Sequence, residues 1–142
     1  YIIMENVITR LHEGNFSCVI ANKKEVRTFT RRGIIDLYEL QKQDTLFLQG
    51  AVIADKVVGK AAAALMVLGN ISELYADVIS IPALALLQNN NIPVTFSETV
   101  PFIKNRDESD WCPLEICCSK AKTLEDIYPL IEEFVKRIVY KI

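Results

Sequence analysis

Two lysines and an aspartate lie together in the segment Ala54-Asp55-Lys56-Val57-Val58-Gly59-Lys60-Ala61, which follows an apolar stretch. If a helix begins after Asp55, this aspartate is its N-cap, and Lys56 and Lys60 share one face near the positive end of the helix dipole. Cations are disfavoured there unless they meet a carboxylate or a bound anion. We therefore expect Asp55, Lys56 and Lys60 to help bind a small anion. The alternative is a capped core helix whose lysine extends to solvent.

A second group of cations, Arg31 and Arg32, stands where a helix over 33–42 is predicted to begin, with Thr30 as its cap. Two arginines beside exposed backbone N–H groups can hold a phosphate or a carboxylate. The alternative is a solvent-exposed basic turn, paired with acidic side chains of the following helix. We include Arg32 among the ligand-binding candidates.

A cysteine and a glutamate form the third candidate group. Pro113 suits the first position of a helix, which makes Cys112 the cap. A thiol at a helix N-terminus is shifted toward the thiolate, and Glu115 could complete the cap or transfer protons. We therefore consider Cys112 and Glu115 as catalytic residues and Arg106, in the preceding loop, as a ligand-binding residue. The alternative is a buried structural cysteine anchored beside Trp111.

Alternating helices and strands must position these groups. The hydrophobic pattern predicts helices over 2–12, 33–42, 56–68, 82–89 (capped by Ser80) and 124–141, and strands over 16–21, 25–29, 46–53, 74–79 and 94–97, with 98–112 irregular. Strands that alternate with helices imply right-handed crossovers and a sheet covered on both faces. We predict one α/β domain over 1–142, a three-layer α/β/α sandwich with a mixed sheet. Ligands bind such sheets beyond the carboxyl ends of parallel strands.

Composition narrows the function classes. The 142 residues suit one domain, and a net charge of −2 gives no basic footprint for nucleic acid. No apolar run approaches a membrane span, and the first 20 residues lack the pattern of a secretion signal. The four cysteines form no disulfide framework and, with one histidine, no zinc-type pairs. We expect a cytoplasmic protein with no metal, no cofactor, no membrane contact and no nucleic-acid partner.

The order of elements and the segment 55–63 resemble an uncharacterised family, the domain-of-unknown-function family number eighteen-ninety-three. The segments Arg32-Gly33-Ile34 and Cys112-Pro113-Leu114-Glu115 resemble it as well. The resemblance covers nearly the whole chain up to about residue 116. It implies a cytidine-deaminase-like topology and leaves the function open.

Zinc deaminases carry their metal ligands at two helix starts. One helix begins with His or Cys, one further residue and Glu, and the next begins with Pro-Cys-x-x-Cys. In this chain the corresponding segments are Lys60-Ala61-Ala62 and Pro82-Ala83-Leu84-Ala85-Leu86, which hold neither zinc ligands nor the proton-transferring glutamate. Without zinc, no water is activated for attack. We therefore predict that the chain is not a zinc-dependent deaminase.

Three functions agree with these residues. The first is a zinc-free deaminase-like domain that binds a small anionic metabolite, such as a nucleotide or a phosphorylated compound. The second is a non-catalytic ligand-sensing or regulatory module that could form a homodimer. The third is an enzyme that uses Cys112 as a reactive thiol.

Overall fold

The computed structural model describes residues 2–23, 25–30, 34–103, 118, 121 and 123–139. The helices in these ranges are α1 (Ile2–Glu13), α2 (Ile35–Gln43), α3 (Thr45–Leu48), α4 (Lys60–Leu68), α5 (Ile81–Asn89) and α6 (Leu124–Val139). The strands are β1 (Cys18–Asn22), β2 (Glu25–Phe29), β3 (Val52–Val58), β4 (Glu73–Ser80) and β5 (Val94–Val100). No helix within the described part of the chain is long and apolar enough to cross a bilayer.

The strands form one mixed sheet in the order β2-β1-β3-β4-β5. Strand β1 pairs antiparallel with both β2 and β3, whereas β3, β4 and β5 run parallel to one another. The carboxyl ends of β3, β4 and β5 therefore meet at one edge of the sheet. The predicted antiparallel hairpin and the later parallel strands are both confirmed.

Each face of the sheet has its own apolar core. On one face, α1 buries Val7 and Leu11 against strand residues such as Val19, Val52 and Tyr75. The opposite face, which includes Ile20, Ile53 and Leu74, is covered by side chains of α2, α3, α4, α5 and α6. One helix on one face and several on the other make the predicted three-layer α/β/α sandwich.

Helix α4 lies at the centre of the many-helix layer. All six residues from Ala61 to Met66 are buried, and the helix contacts α2, α5 and α6. The run of four alanines lets these neighbours approach the α4 backbone closely. The first residue of α4, Lys60, is therefore the only charged residue of a helix that is otherwise apolar.

The strand predicted over 46–53 is wrong. Thr45–Leu48 forms the short helix α3, and β3 begins only at Val52. Between them Gly50 adopts a φ of +76°, which glycine reaches at little cost, and its N–H donates to the Asn70 carbonyl at 2.8 Å. The apolar residues of the segment 46–53 are thus divided between helix α3 and strand β3, which a tight turn separates.

The predicted start of the helix after Asp55 is also wrong. Strand β3 continues through Asp55 and Lys56 to Val58, because β1 and β4 pair with it on both sides. Helix α4 begins at Lys60, with an extended Gly59 as an N-cap that makes no side-chain hydrogen bond. Asp55 is therefore not a helix cap, and Lys56 does not share a helix face with Lys60.

Two smaller boundaries differ as well. Helix α2 begins at Ile35 with Ile34 as its N-cap, so Thr30 is not its cap. Strand β5 runs on to Val100, so its last three residues are not irregular. Helix α6 begins at Leu124, as predicted, and contains Pro129.

Ser80 caps α5 as predicted, and this cap can be tested by substitution. Its buried hydroxyl oxygen accepts the N–H of Ala83 at 3.2 Å. Ser80→Ala should lower the free energy of unfolding by about 1 kcal/mol, whereas Ser80→Gly should cost only a few tenths, because glycine leaves the helix end accessible to water. Urea unfolding of both variants measures the two values. An equal loss in both would mean that Ser80 acts by packing and not by capping.

Candidate functional site

The carboxyl edge of the parallel strands brings two helix starts together. Strand β3 leads through Gly59 into α4, and β4 leads directly into α5 at Ser80. The backbone N–H groups of both helix starts and their dipoles favour an anion at this edge. The two helices contact each other. This edge is the region in which the sequence predicted a ligand.

Lys60 is the cation at this edge. Its side chain is half-buried, and its Nζ donates a hydrogen bond of 2.6 Å to the carbonyl of Ala121. Ala121 is buried in the core on the many-helix side of the sheet. The aliphatic part of Lys60 therefore lies along this core, and its ammonium group is held between the start of α4 and the segment before α6.

Lys56 lies on the opposite side of the sheet. Its Nζ donates to the side-chain oxygen of Asn15 at 3.1 Å, just after the end of α1. The expected pairing of Lys56 with Lys60 on one helix face is therefore wrong. Only Lys60 lies on the side of α4 and α5, and a ligand role for either lysine stays a prediction.

Asp55 is a buried carboxyl group in the middle of β3. Its Oδ1 accepts the N–H of Val57 at 3.4 Å, and it faces Cys18 across the β1–β3 ladder. Burial, only partly offset by hydrogen bonds from the backbone and from Cys18, raises the pKa of Asp55 from 3.8 to about 7. Burial and the charge of Asp55 together raise the pKa of the Cys18 thiol well above its ordinary value. Asp55 therefore holds a proton up to near neutral pH, and Cys18 is a protonated, unreactive thiol.

Four of the candidates from the sequence lie outside the described residues. They are Arg32, Arg106, Cys112 and Glu115. Their roles in ligand binding and catalysis stay predictions. Asp55, Lys56 and Lys60 are the candidates whose positions the structure gives.

A polar network that the sequence did not reveal lies on the α1 side of the sheet. His12 Nε2 lies 2.7 Å from Asp77 Oδ1, and the Tyr75 hydroxyl donates to the same oxygen at 2.7 Å. The Ser97 hydroxyl lies 3.0 Å from that of Tyr75. The network joins the end of α1 to β4 and β5.

The carboxylate of Asp77 sets the direction of these hydrogen bonds. An ionised carboxylate only accepts, so the proton of Tyr75 points to Asp77, and Ser97 must donate to Tyr75. For the same reason the proton between His12 Nε2 and Asp77 belongs to the imidazole nitrogen. Burial, together with Asp77, raises the pKa of Tyr75 against the opposing effect of Ser97. The arrangement orients His12, whose side chain is 47% exposed.

The sequence contained only part of the signal for this network. Tyr75 and Asp77 alternate on one strand and therefore share a face, which can be read from the sequence. The partner of His12 is 65 residues away along the chain, so no local pattern could reveal it.

The two segments compared above with the metal-binding helix starts of zinc deaminases lie within the described residues. Lys60, Ala61 and Ala62 form the start of α4, and Pro82 and Ala83 lie in the first turn of α5. Within the described ranges no three His, Cys, Asp or Glu side chains are close enough to hold a metal ion.

The fold and the edge site define an α/β protein with a five-stranded mixed sheet and a lysine at the start of a central helix. A family model described as a domain of unknown function (DUF1893) matches residues 6–135. Because this match spans most of the chain, the chain belongs to that family. The resemblance seen in the sequence is therefore confirmed.

Solved structures agree with this fold. The chain is similar to a DUF1893 family protein (TM1506) from Thermotoga maritima, with 24% identity, a TM-score of 0.86, and coverage of 93% of this chain and 89% of that one. It is also similar to RibD from Acinetobacter baumannii, with 15% identity and a TM-score of 0.44 over 66% of this chain and 34% of that one. The second likeness is too distant to bear on function. No curated protein matches the chain.

Asp55→Asn should remove a pH dependence of stability. The folded-state pKa is raised from 3.8 to about 7, so the stabilising contribution of this group is complete below pH 3.8 and is lost as the pH rises toward 7. The loss is at most about 4 kcal/mol. Urea unfolding between pH 4 and 8 measures the free-energy difference between wild type and Asp55→Asn, which should fall as the pH rises.

Cys18→Ser is the matched control, because it keeps a hydrogen-bond donor beside Asp55 and leaves the carboxyl group in place. Its pH dependence should follow that of the wild type. A difference between wild type and Asp55→Asn that stays constant from pH 4 to 8 would contradict the raised pKa.

Proposed function

We propose that this protein binds a small anionic metabolite, a nucleotide or another phosphorylated compound, at the carboxyl edge of β3 and β4. The observation that carries the proposal is the position of Lys60. Its half-buried ammonium group lies at the start of the apolar helix α4, where the helix dipole disfavours a cation. A bound anion would offset this cost and would also accept hydrogen bonds from the first N–H groups of α4, which have no partner within the helix.

The protonation of Asp55 supports an anion at this edge. Asp55 lies on β3, the strand that leads into α4, and an ionised carboxylate there would be unfavourable for a phosphate at this edge of the sheet. Because burial raises the pKa of Asp55 to about 7, the group is largely neutral below that pH. We therefore expect anion binding to weaken as the pH rises above 7, beyond any change in the charge of the ligand.

The remaining cations of this proposal are Arg32 and Arg106, both outside the described residues. Strand β2 ends at Phe29, which pairs with Cys18, and Cys18 in turn pairs with Asp55. The described end of β2 at Phe29 therefore lies two strands away from Asp55. Because Arg32 follows Phe29 by three residues in the sequence, we include it in this proposal as a second ligand for the anion.

Lys60→Ala and Lys56→Ala make a matched test of the anion site, because the two lysines lie on opposite sides of the sheet. Nucleotides, sugar phosphates, inorganic phosphate and small carboxylates are screened by thermal shift against wild type and both variants. A ligand at 100 times its Kd should stabilise the wild type by roughly 2.7 kcal/mol. The shift should be lost in Lys60→Ala and kept in Lys56→Ala. Equal shifts in all three proteins, or no shift with any compound, would contradict the proposal.

An enzyme with a reactive Cys112 is the second candidate function, and the structure supplies internal controls for it. Cys18 and Cys118 are both buried, and the pKa of Cys18 is raised by burial. Iodoacetamide should therefore label both slowly in the folded protein, and a Cys112 thiolate should react faster by on the order of tenfold or more. Peptide mass spectrometry at several pH values gives the rate at each cysteine. Labelling of Cys112 as slow as that of Cys18 would remove this candidate.

A further inference from the structure

The two edge strands of the sheet differ in how they are protected. In β2, the guanidinium group of Arg27 pairs with Glu25 and Asp44 and lies 3.9 Å from the ring centroid of Phe47. Charged side chains and a covering helix are common protections of an edge strand. Strand β2 is therefore blocked against pairing with another chain.

Within the described residues, strand β5 is less protected, because its one charged side chain is Glu98. It has seven residues and contains no Pro, Lys or Gly, and its residues pair with β4 at one constant offset on both sides of Ser97. Five successive side chains, Thr95 to Thr99, are exposed, and Phe96 is 40% exposed. Pro93 and Pro101 lie just outside the strand and limit its length. A strand of this kind is a template for pairing with a further strand.

The sequence of β5 is nearly symmetric about its central residue. It reads Val-Thr-Phe-Ser-Glu-Thr-Val, with Ser97 in the middle. Two such strands that pair antiparallel about a two-fold axis at Ser97 place each residue opposite its mirror position. Valine then faces valine, threonine faces threonine, and serine faces serine.

This register also suits the one charge of the strand. Glu98 lies opposite Phe96 of the other copy and not opposite the other Glu98, so like charges do not meet directly. Thr95 lies opposite Thr99, a cross-strand pair that stabilises sheets. The strand is thus complementary to itself in this register.

We propose that β5 pairs antiparallel with β5 of a second copy of this chain, about a two-fold axis at Ser97. The five-stranded sheet then becomes a continuous ten-stranded sheet with both α1 helices on the same face. The hydroxyl of Ser97 lies on that face, because it bonds to Tyr75. The polar networks that begin at His12 in the two copies therefore meet at the axis.

Paired charge substitutions test both the interface and its register. In Thr95→Lys/Thr99→Lys, each lysine faces a lysine of the other copy, and the dimer should be lost. In Thr95→Lys/Thr99→Glu, each lysine faces a glutamate, and the dimer should persist. Sedimentation velocity over a concentration series measures the oligomeric state, and circular dichroism checks that each variant is folded.

A cysteine scan provides a measurement that does not depend on charge. Ser97→Cys lies opposite itself, where paired strands bring Cα atoms to about 4.5–5.5 Å, within the range of a disulfide. Oxidised Ser97→Cys should form a disulfide-linked dimer, and Thr95→Cys, which faces Thr99, should not exceed the wild type. Peptide mapping identifies the linked cysteines and separates them from the native ones.

Each outcome decides the proposal. A wild type that is monomeric at all concentrations overturns it, as does a dimer that persists unchanged in the double-lysine variant. Loss of the dimer in both charge variants, or equal crosslinking at positions 95 and 97, overturns the register. The expected pattern in all variants supports an interface centred on Ser97.

Discussion

The pairing of β3 on both sides is the constraint on which the rest of this structure depends. Strand β1 pairs with it antiparallel and β4 pairs with it parallel, so the backbone of β3 stays extended through two charged residues. Helix α4 can begin only after that ladder ends, which places Lys60 and not Lys56 at the helix start. The same pairing buries Asp55 opposite Cys18 and produces its raised pKa.

The sheet separates two polar sites with different chemistry. On the many-helix side, the starts of α4 and α5 and Lys60 lie at the carboxyl edge of the sheet, and Asp55, with a pKa raised to about 7, lies within β3. On the α1 side, His12, Tyr75 and Ser97 are arranged around the carboxylate of Asp77. Only 2.7 Å separates His12 Nε2 from that carboxylate, so the network fixes the orientation of the ring and the end of α1. Both sites are attached to β3 or its neighbour β4, which are paired with other strands on both sides.

The two edges of the sheet differ in how open they are to pairing with another strand. Arg27 uses two carboxylates and an aromatic ring to close the edge at β2. At β5 the exposed side chains are mainly uncharged. If β5 pairs as proposed, a chain with one blocked and one open edge would pair only once and would form a closed dimer, not an open fibre. The open edge is also the one connected to the His12 network through Ser97.

The sequence by itself determined the fold class, most of the elements and the cap at Ser80. These follow from local properties: the periodicity of apolar residues, the turn residues between them and the hydroxyl before α5. It also singled out Lys60, because a charged residue in an apolar helical segment can be recognised from the sequence alone. Only the tertiary structure decided where β3 ends, since Asp55 and Lys56 are polar residues kept in a strand by two neighbouring strands. It alone joined His12 to Asp77, because contacts between residues far apart in the chain form only when the sheet and α1 pack together.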